Sequence, residues 1–281
     1  MEFFEYSDNE LMCEDVKIRD IVNRVGTPAY IYSKKAFVDC FKEIRTAFKE
    51  ANPLICFSVK SNSNLSILKT LAAEGSGFDV VSGGELFRAL KIGADPKKIV
   101  FAGVGKSSEE IKYALENDIL IFNAESWPEI CNIDRIAGEL GKTAQIAIRI
   151  NPDIDAKTHA KTTTGKKENK FGIDLYTARK IISEVRYYSN VRISGIHVHL
   201  GSPIYDTKPY ELGLEKVNEF ILECKKEGID IKYLNVGGGY CISYTGRKEI
   251  RPGDYASKML EPIKKTGCKL IMEPGRFISG N

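Results

Sequence analysis

The sequence is short of several features that would have fixed its class at a glance. Its seven cysteines form no CxxC pair and their number is odd, so a zinc site is not expected and the thiols read as reduced, as in a cytoplasmic protein. No apolar run approaches the ~20 residues that a bilayer span requires. The N-terminus, MEFFEYSDNE, is acidic where an export signal would be basic. Charge of one sign is lacking as well: the net charge is +3, with both signs interspersed, which argues for neither nucleic acid nor a membrane surface. No internal repeat or low-complexity tract stands out. What remains is an ordinary globular composition, 43% hydrophobic and 28% charged, in a chain long enough for one large domain or two small ones.

Short apolar runs recur along it, each followed by a helical pattern. Strands are expected near 54–60, 78–82, 99–103, 119–123, 144–151, 193–200, 233–236 and 270–273. Amphipathic helices are expected between them at 65–74, 84–92, 108–116, 126–140, 175–185, 210–227 and 255–265. Strands alternating with helices make a parallel sheet. Eight of them in a chain of this length favour a (β/α)8 TIM-type barrel, with a doubly wound open sheet as the other possibility. The segment 153–170, DIDAKTHAKTTTGKKENK, breaks the rhythm, with almost no apolar residue and five lysines. It reads either as a solvated loop or as a mobile flap beside the site.

In a barrel, function sits where the strands end. The first strand, ICFSVKSN, alternates bulky residues on one face with Cys56, Ser58 and Lys60 on the other. The second holds Asp79, the fifth ends in Arg149 and Asn151, and the sixth runs into HVHLGS. The seventh ends in GGGY and the eighth in MEPGR. Each has a bland alternative: Lys60 snorkelling to water, His197 filling a polar barrel layer, the glycines making a tight turn, Arg149 and Glu273 forming a structural ion pair. Their convergence on one rim makes the bland readings jointly hard to sustain. Consecutive glycines let backbone N–H groups approach an anion, and the loops after strands seven and eight are the usual phosphate corner of a barrel. Ser202 and Arg276 fall in the same corner, and Lys60, on strand one, is adjacent to strand eight around the ring. A phosphorylated aldehyde joined to Lys60 as a Schiff base links the two features, and pyridoxal 5'-phosphate is such a molecule.

The blocks FSVKSN, GFDVVSGGEL, HVHLGS, NVGGG and EPGR, in this order, resemble the alanine-racemase-like (fold type III) pyridoxal-phosphate enzymes. Within them, NPDIDAKTHAKTTTGKKENKFGI is similar to the pattern of the diaminopimelate decarboxylase family. The resemblance implies that Lys60 is the Schiff-base lysine, His199 the histidine stacked on the cofactor ring and Glu273 the acid paired with the pyridine nitrogen. It implies phosphate contacts from Ser202, Gly238 and Gly239, with Arg276 at the phosphate or substrate end and Asp79 and Arg149 lining the pocket. A carboxylate at Glu273 favours decarboxylation, because it keeps the ring nitrogen protonated and the ring a strong electron sink. Racemases of this fold use an arginine there.

The expected activity is decarboxylation of meso-2,6-diaminopimelate to L-lysine and carbon dioxide, by a cytoplasmic enzyme that is a homodimer at full length. Decarboxylation of ornithine, arginine or carboxynorspermidine is the alternative within the class, and a non-catalytic pyridoxal-phosphate-binding barrel the alternative outside it. By the same resemblance, residues 1–28 form an arm that packs against a β-rich second domain, and 29–281 form the cofactor-binding barrel. That second domain, which in the family supplies a cysteine, a glutamate and a tyrosine, is expected to be absent from this chain. Ser61 stands where alanine is common in the family, and Pro203 where glutamine is usual.

Overall fold

A computed structural model of the chain describes residues 3–154, 171–244 and 250–280. Of the segment 153–170, expected as a solvated loop or a flap, residues 155–170 lie outside the described residues. Eight parallel strands close on themselves: β1 (Leu54–Ser58), β2 (Gly77–Val80), β3 (Ile99–Phe101), β4 (Ile121–Ala124), β5 (Ala144–Asn151), β6 (Val191–His197), β7 (Tyr233–Asn235) and β8 (Lys269–Met272). Each pairs with its sequence neighbour, and the Ile271–Leu54 register returns β8 to β1. An open doubly wound sheet has two edges. Among the described residues these eight close into a ring, and a two-residue strand, Ile173–Asp174, adds only to the end of β5, so the sheet is a barrel.

The strands alternate as their sequences do. Outward residues such as Ile55, Phe57, Phe78, Phe122, Ile196 and Met272 pack under the helices in the main core. Inward residues form two layers. The lower is apolar, with Cys56, Val100, Ile121, Ala147 and Ile271 in one buried cluster. The upper, two residues further along, is polar except at Ala102 beyond β3: Ser58, Asn123, Arg149, Asn235 and Glu273 are all buried there. The side-chain period of a strand, not any local signal, puts a charged layer directly on an apolar one.

The helices are fixed at their starts by polar caps. Ser33, Asn64, Ser82, Ser126 and Asp174 each accept from a backbone N–H in the first turn, and Ser107 forms a reciprocal capping box with Glu110. All seven expected helices are present, with ends shifted by a few residues; the helix Ser108–Glu116 has the expected bounds. An eighth, Lys34–Ala47, was not anticipated, although Phe37, Phe41, Ile44 and Phe48 recur at near-helical spacing and are buried. Nor were three short antiparallel strands (Phe4–Ser7, Glu10–Cys13, Val16–Lys17) and the helix Ile18–Val25 anticipated.

The strand ends differ from expectation where function lies. β1 stops at Ser58 rather than Lys60, and residues Val59–Ser61 make one 3-10 turn. The Ser58 N–H donates past the end of β8 to Pro274 O (3.2 Å), the Ser61 hydroxyl donates to Ser58 O (2.7 Å), and the Asn62 N–H donates to Val59 O (3.1 Å). With those groups satisfied locally, no ladder continues. β6 likewise ends at His197, leaving His199 in the loop. Lys60 and His199 therefore sit on turns above the barrel, not on strands.

The two-layer interior makes Ile271→Ala a direct test. Truncation beneath Glu273 is expected to lower the unfolding free energy by about 2–5 kcal/mol, read from urea denaturation. A loss under about 1 kcal/mol would contradict the close-packed lower layer.

Candidate active site

The C-terminal mouth of the barrel encloses a cavity of about 650 Å³, within the range of small-molecule sites. Eight of the nine sequence-expected site residues line it. Arg149 comes from β5, Lys60 from the 3-10 turn after β1, Glu273 from just past the end of β8, and His199, Ser202, Gly238, Gly239 and Arg276 from the segments after β6, β7 and β8. The ninth, Asp79, lies behind Lys60 and is fully buried.

Lys60 answers to Asp79. Its Nζ is 2.9 Å from Asp79 Oδ2, which also accepts from the Ser58 hydroxyl at 2.6 Å. Burial works against charge on Lys60, but Asp79 and then Glu273 more than offset it and raise the ammonium's pKa. Burial likewise pushes the Asp79 carboxyl up, against the pull of Lys60. The 3-10 turn that ends β1 thus leaves the amine over the mouth, tethered on one side.

Glu273 is held from three strands. Asn123 on β4 and Asn235 on β7 both donate from Nδ2 to Oε1, at 2.7 and 2.6 Å. His197 on β6 brings Nε2 within 3.3 Å of Oε2. Burial opposes the charge, but the His197 imidazole, Lys60 and the Asn235 amide outweigh it and hold the carboxyl below the usual carboxylate range. The expected alternative, an ion pair of Glu273 with Arg149, does not occur. Arg149 pairs instead with Glu125 (2.7 Å), both almost fully buried, and lies 5.1 Å from the Phe171 ring centroid. The reason is register: Ala124 on β4 sits opposite Ile148 on β5, which sets Glu125 beside Arg149.

The anion corner is built from backbone. A Cβ at Gly238 would collide with the Glu273 carbonyl oxygen, and one at Gly239, where φ is +108°, would stand 2.6 Å from Gly201 O. The Gly238 N–H donates to His199 Nδ1 (3.2 Å), which assigns that nitrogen as the unprotonated one. Arg276 donates from Nε to the Ser202 hydroxyl (3.2 Å) and also reaches the Tyr244 hydroxyl. Underneath, the buried Tyr210 hydroxyl donates to Gly238 O (2.5 Å), and Tyr255 donates to Ile204 O (2.5 Å). An amine, a ring-sized space, a glycine cradle with a guanidinium and a buried anion therefore lie in one cavity. Those donors fit a flat, phosphorylated aldehyde.

Several of these residues escaped the sequence reading. Nothing in the sequence alone gives Asn123, Glu125 or Tyr210 a role, and His197 allows both a structural and a functional reading. Asn235 opens NVGGG, two residues before the glycine turn, and that position is its one sequence signal. Lys106 is a further surprise, buried with its Nζ on Gly103 O (2.8 Å), Asn123 O (2.9 Å) and Glu129 (2.6 Å). It pins the ends of β3 and β4, and so fixes where Asn123 points.

The model of the pyridoxal-dependent decarboxylases, pyridoxal binding domain, matches residues 35–280. The chain belongs to this family. Diaminopimelate decarboxylases are among its similar relatives. That of Aquifex aeolicus is 44% identical over 99% of this chain and 66% of its own length, and that of Haemophilus influenzae 42% over 100% and 68%. Among solved structures, the diaminopimelate decarboxylase from Helicobacter pylori complexed with L-lysine is 41% identical with a TM-score of 0.89, covering 92% of this chain and 66% of that one. The one from M. jannaschii in co-complex with L-lysine is 36% identical with a TM-score of 0.91, covering 99% and 67%. A viral arginine decarboxylase, 22% identical with a TM-score of 0.79, shares the fold. The chain spans about two thirds of the length of these relatives. It thus sits in the diaminopimelate decarboxylase branch of the pyridoxal-dependent decarboxylases.

The site makes one titration unusual. Burial, then Arg149, Lys60 and His197, push the His199 imidazole down from 6.5 to about 3. In the cofactor-free protein its ring NMR signals should stay flat as pH falls through 6.5. Because the folded pKa is depressed, the unfolded chain binds the extra proton. The His199 contribution to stability is therefore complete above 6.5 and is lost as pH falls from there towards about 3. A midpoint near the ordinary value would contradict the geometry.

Proposed function

We propose that this chain is the cofactor-binding part of an enzyme that decarboxylates meso-2,6-diaminopimelate to L-lysine and carbon dioxide, the step that yields lysine in its biosynthesis. The observation that carries the reading is Glu273, buried under the cavity and held as an anion by three neighbours beside an amine and an anion cradle. An arginine at that place would weaken an electron sink, whereas a carboxylate strengthens it. The L-lysine in the H. pylori and M. jannaschii structures is the proposed product, and it supports this substrate over ornithine or arginine.

Bound pyridoxal 5'-phosphate supplies the electron sink for the pair left on Cα when carbon dioxide departs. The residues of this chain do the rest. Lys60 would hold the cofactor through its amine, and Asp79 keeps that amine at the mouth. Gly238, Gly239, Ser202 and Arg276 would hold the phosphate, with Arg276 also within reach of substrate. Glu273 would keep a proton on the cofactor's ring nitrogen, and His199, neutral at working pH, would offer the ring an uncharged face. Arg149 adds positive charge to the wall without competing for Glu273, because Glu125 already pairs with it. The cavity walls would orient the substrate so that the electron pair of the Cα–carboxylate bond can pass to that sink. The same reading makes the full-length enzyme a cytoplasmic homodimer, in which the remaining third of the relatives' length completes the grip on the substrate's far end.

Borohydride reduction of the cofactor-loaded protein, followed by peptide mapping, should place the pyridoxyl group on Lys60. Finding it reproducibly on another lysine would remove the assignment. In the intact enzyme, Glu273→Gln should retain cofactor and lower kcat by about 10²-fold or more, in an assay of carbon dioxide release over a panel of basic amino acids. A change under about threefold, or turnover of ornithine or arginine ahead of diaminopimelate, would refute the respective half of the reading.

A further inference from the structure

Asn235 makes two side-chain contacts, one with the Glu273 carboxylate and one with the backbone that opens the glycine turn, where Gly237 O also accepts the Glu273 N–H (2.8 Å). Asn235 Nδ2 donates to Glu273 Oε1 at 2.6 Å, and its Oδ1 accepts the Gly237 N–H at 2.9 Å. The side chain is 1% exposed, so neither contact has water as a substitute. The amide orientation is forced, since an N–H must meet an acceptor and a carboxylate must meet a donor. Gly237 opens the turn with φ +65°, and Gly238 and Gly239 then line the anion corner. The backbone is committed too: Asn235 O accepts the Val198 N–H (2.8 Å), and its Cα is in register with His197 on one side and Ile271 on the other.

Asn123 is the useful contrast. It donates to the same Glu273 oxygen at 2.7 Å, but its Oδ1 is buried without a hydrogen-bond partner, so it reaches only one end of the site. Aspartate at 235 could still accept from Gly237 but would offer Glu273 a second carboxylate in place of a donor. Alanine would do neither. Asparagine accepts from the backbone N–H and donates to the carboxylate through two separate atoms held in one plane, whereas a serine or threonine hydroxyl has only one oxygen for both contacts and glutamine is longer by a methylene.

Resting on the function proposed above, we propose that Asn235 is a positioning residue that sets the phosphate cradle and the ring-nitrogen carboxylate by one amide, so that the two ends of the cofactor are gripped in register. A ring placed correctly on Glu273 then finds its phosphate over Gly238 and Gly239 without a further adjustment of either. The coupling is local and needs no movement of the strands.

The test uses the full chain loaded with pyridoxal 5'-phosphate labelled with 15N in the ring. Two quantities are read: the ring 15N chemical shift, which reports protonation at the Glu273 end, and the ratio of affinities for pyridoxal phosphate over pyridoxal, which reports the phosphate end. Asn235→Ala is expected to move the shift towards the unprotonated value and to lower the ratio by about three- to tenfold. Asn235→Asp, which keeps the Gly237 contact, should move the shift while holding the ratio within about twofold. Asn123→Ala should leave the ratio unchanged. An Asn235→Ala protein in which either quantity stays at its original value overturns the inference, as does an Asn235→Asp protein that loses both. Glu273→Gln separates the two claims: an unmoved shift there refutes the role of Glu273 itself, whereas a moved shift there with unmoved Asn235 variants refutes only the bridging role.

Discussion

Everything at the mouth of this barrel is arranged around one unfavourable act, the burial of the Glu273 carboxylate. A carboxylate taken out of water costs several kcal/mol unless it is paired and hydrogen-bonded. Here two amides converge on one oxygen and an imidazole approaches the other, so the charge is kept without being neutralised by a proton. The three partners come from β4, β6 and β7, and Glu273 itself follows β8. Only a closed sheet brings those ends together. The barrel is therefore a condition of the site, and the apolar layer below keeps water from reaching Glu273 from beneath.

The other charges are kept apart by the same geometry. Two more buried or half-buried pairs, Lys60 with Asp79 and Arg149 with Glu125, each satisfy themselves on neighbouring strand ends. Glu273 is left to the neutral asparagines and to His197. Around the rim, the glycine turn rests on a buried tyrosine cluster, with Tyr240 and Tyr255 ring centroids 4.9 Å apart and Tyr210 bonded directly to Gly238 O. Large rigid rings under a flexible turn give the cradle a fixed floor. Preorganisation of this kind removes reorganisation at the moment charge develops.

Much of this could be read in the sequence, and the failures have physical causes. Short apolar runs, each followed by a helical pattern, located every barrel strand, and alternation along the first separated its two faces. The end of β1 was misplaced because alternation continues through Lys60, whereas the Ser61 hydroxyl and the Pro274 carbonyl divert the backbone at Ser58. The helix Lys34–Ala47 was passed over because it precedes the first strand and has no βα partner in the rhythm. Arg149 and Glu273 suggested an ion pair by charge alone, but charge says nothing about register, and register gave Arg149 to Glu125. Asn123 and Asn235 carry no net charge and fall in ordinary strands. Their role exists only once three strands meet, which no linear reading supplies.

The central claim is that the native fold holds Glu273 ionised, and its own carboxyl reports that most directly. In protein labelled with 13C at the glutamate carboxyl, the Glu273 resonance, assigned by comparison with Glu273→Gln, would be followed as pH falls from about 7 to 4. The account predicts a carboxylate shift throughout, with no inflection at the ordinary value of 4.5. Protonation with a midpoint at or above 4.5 would contradict it, since the asparagine and histidine contacts would then be serving a neutral acid.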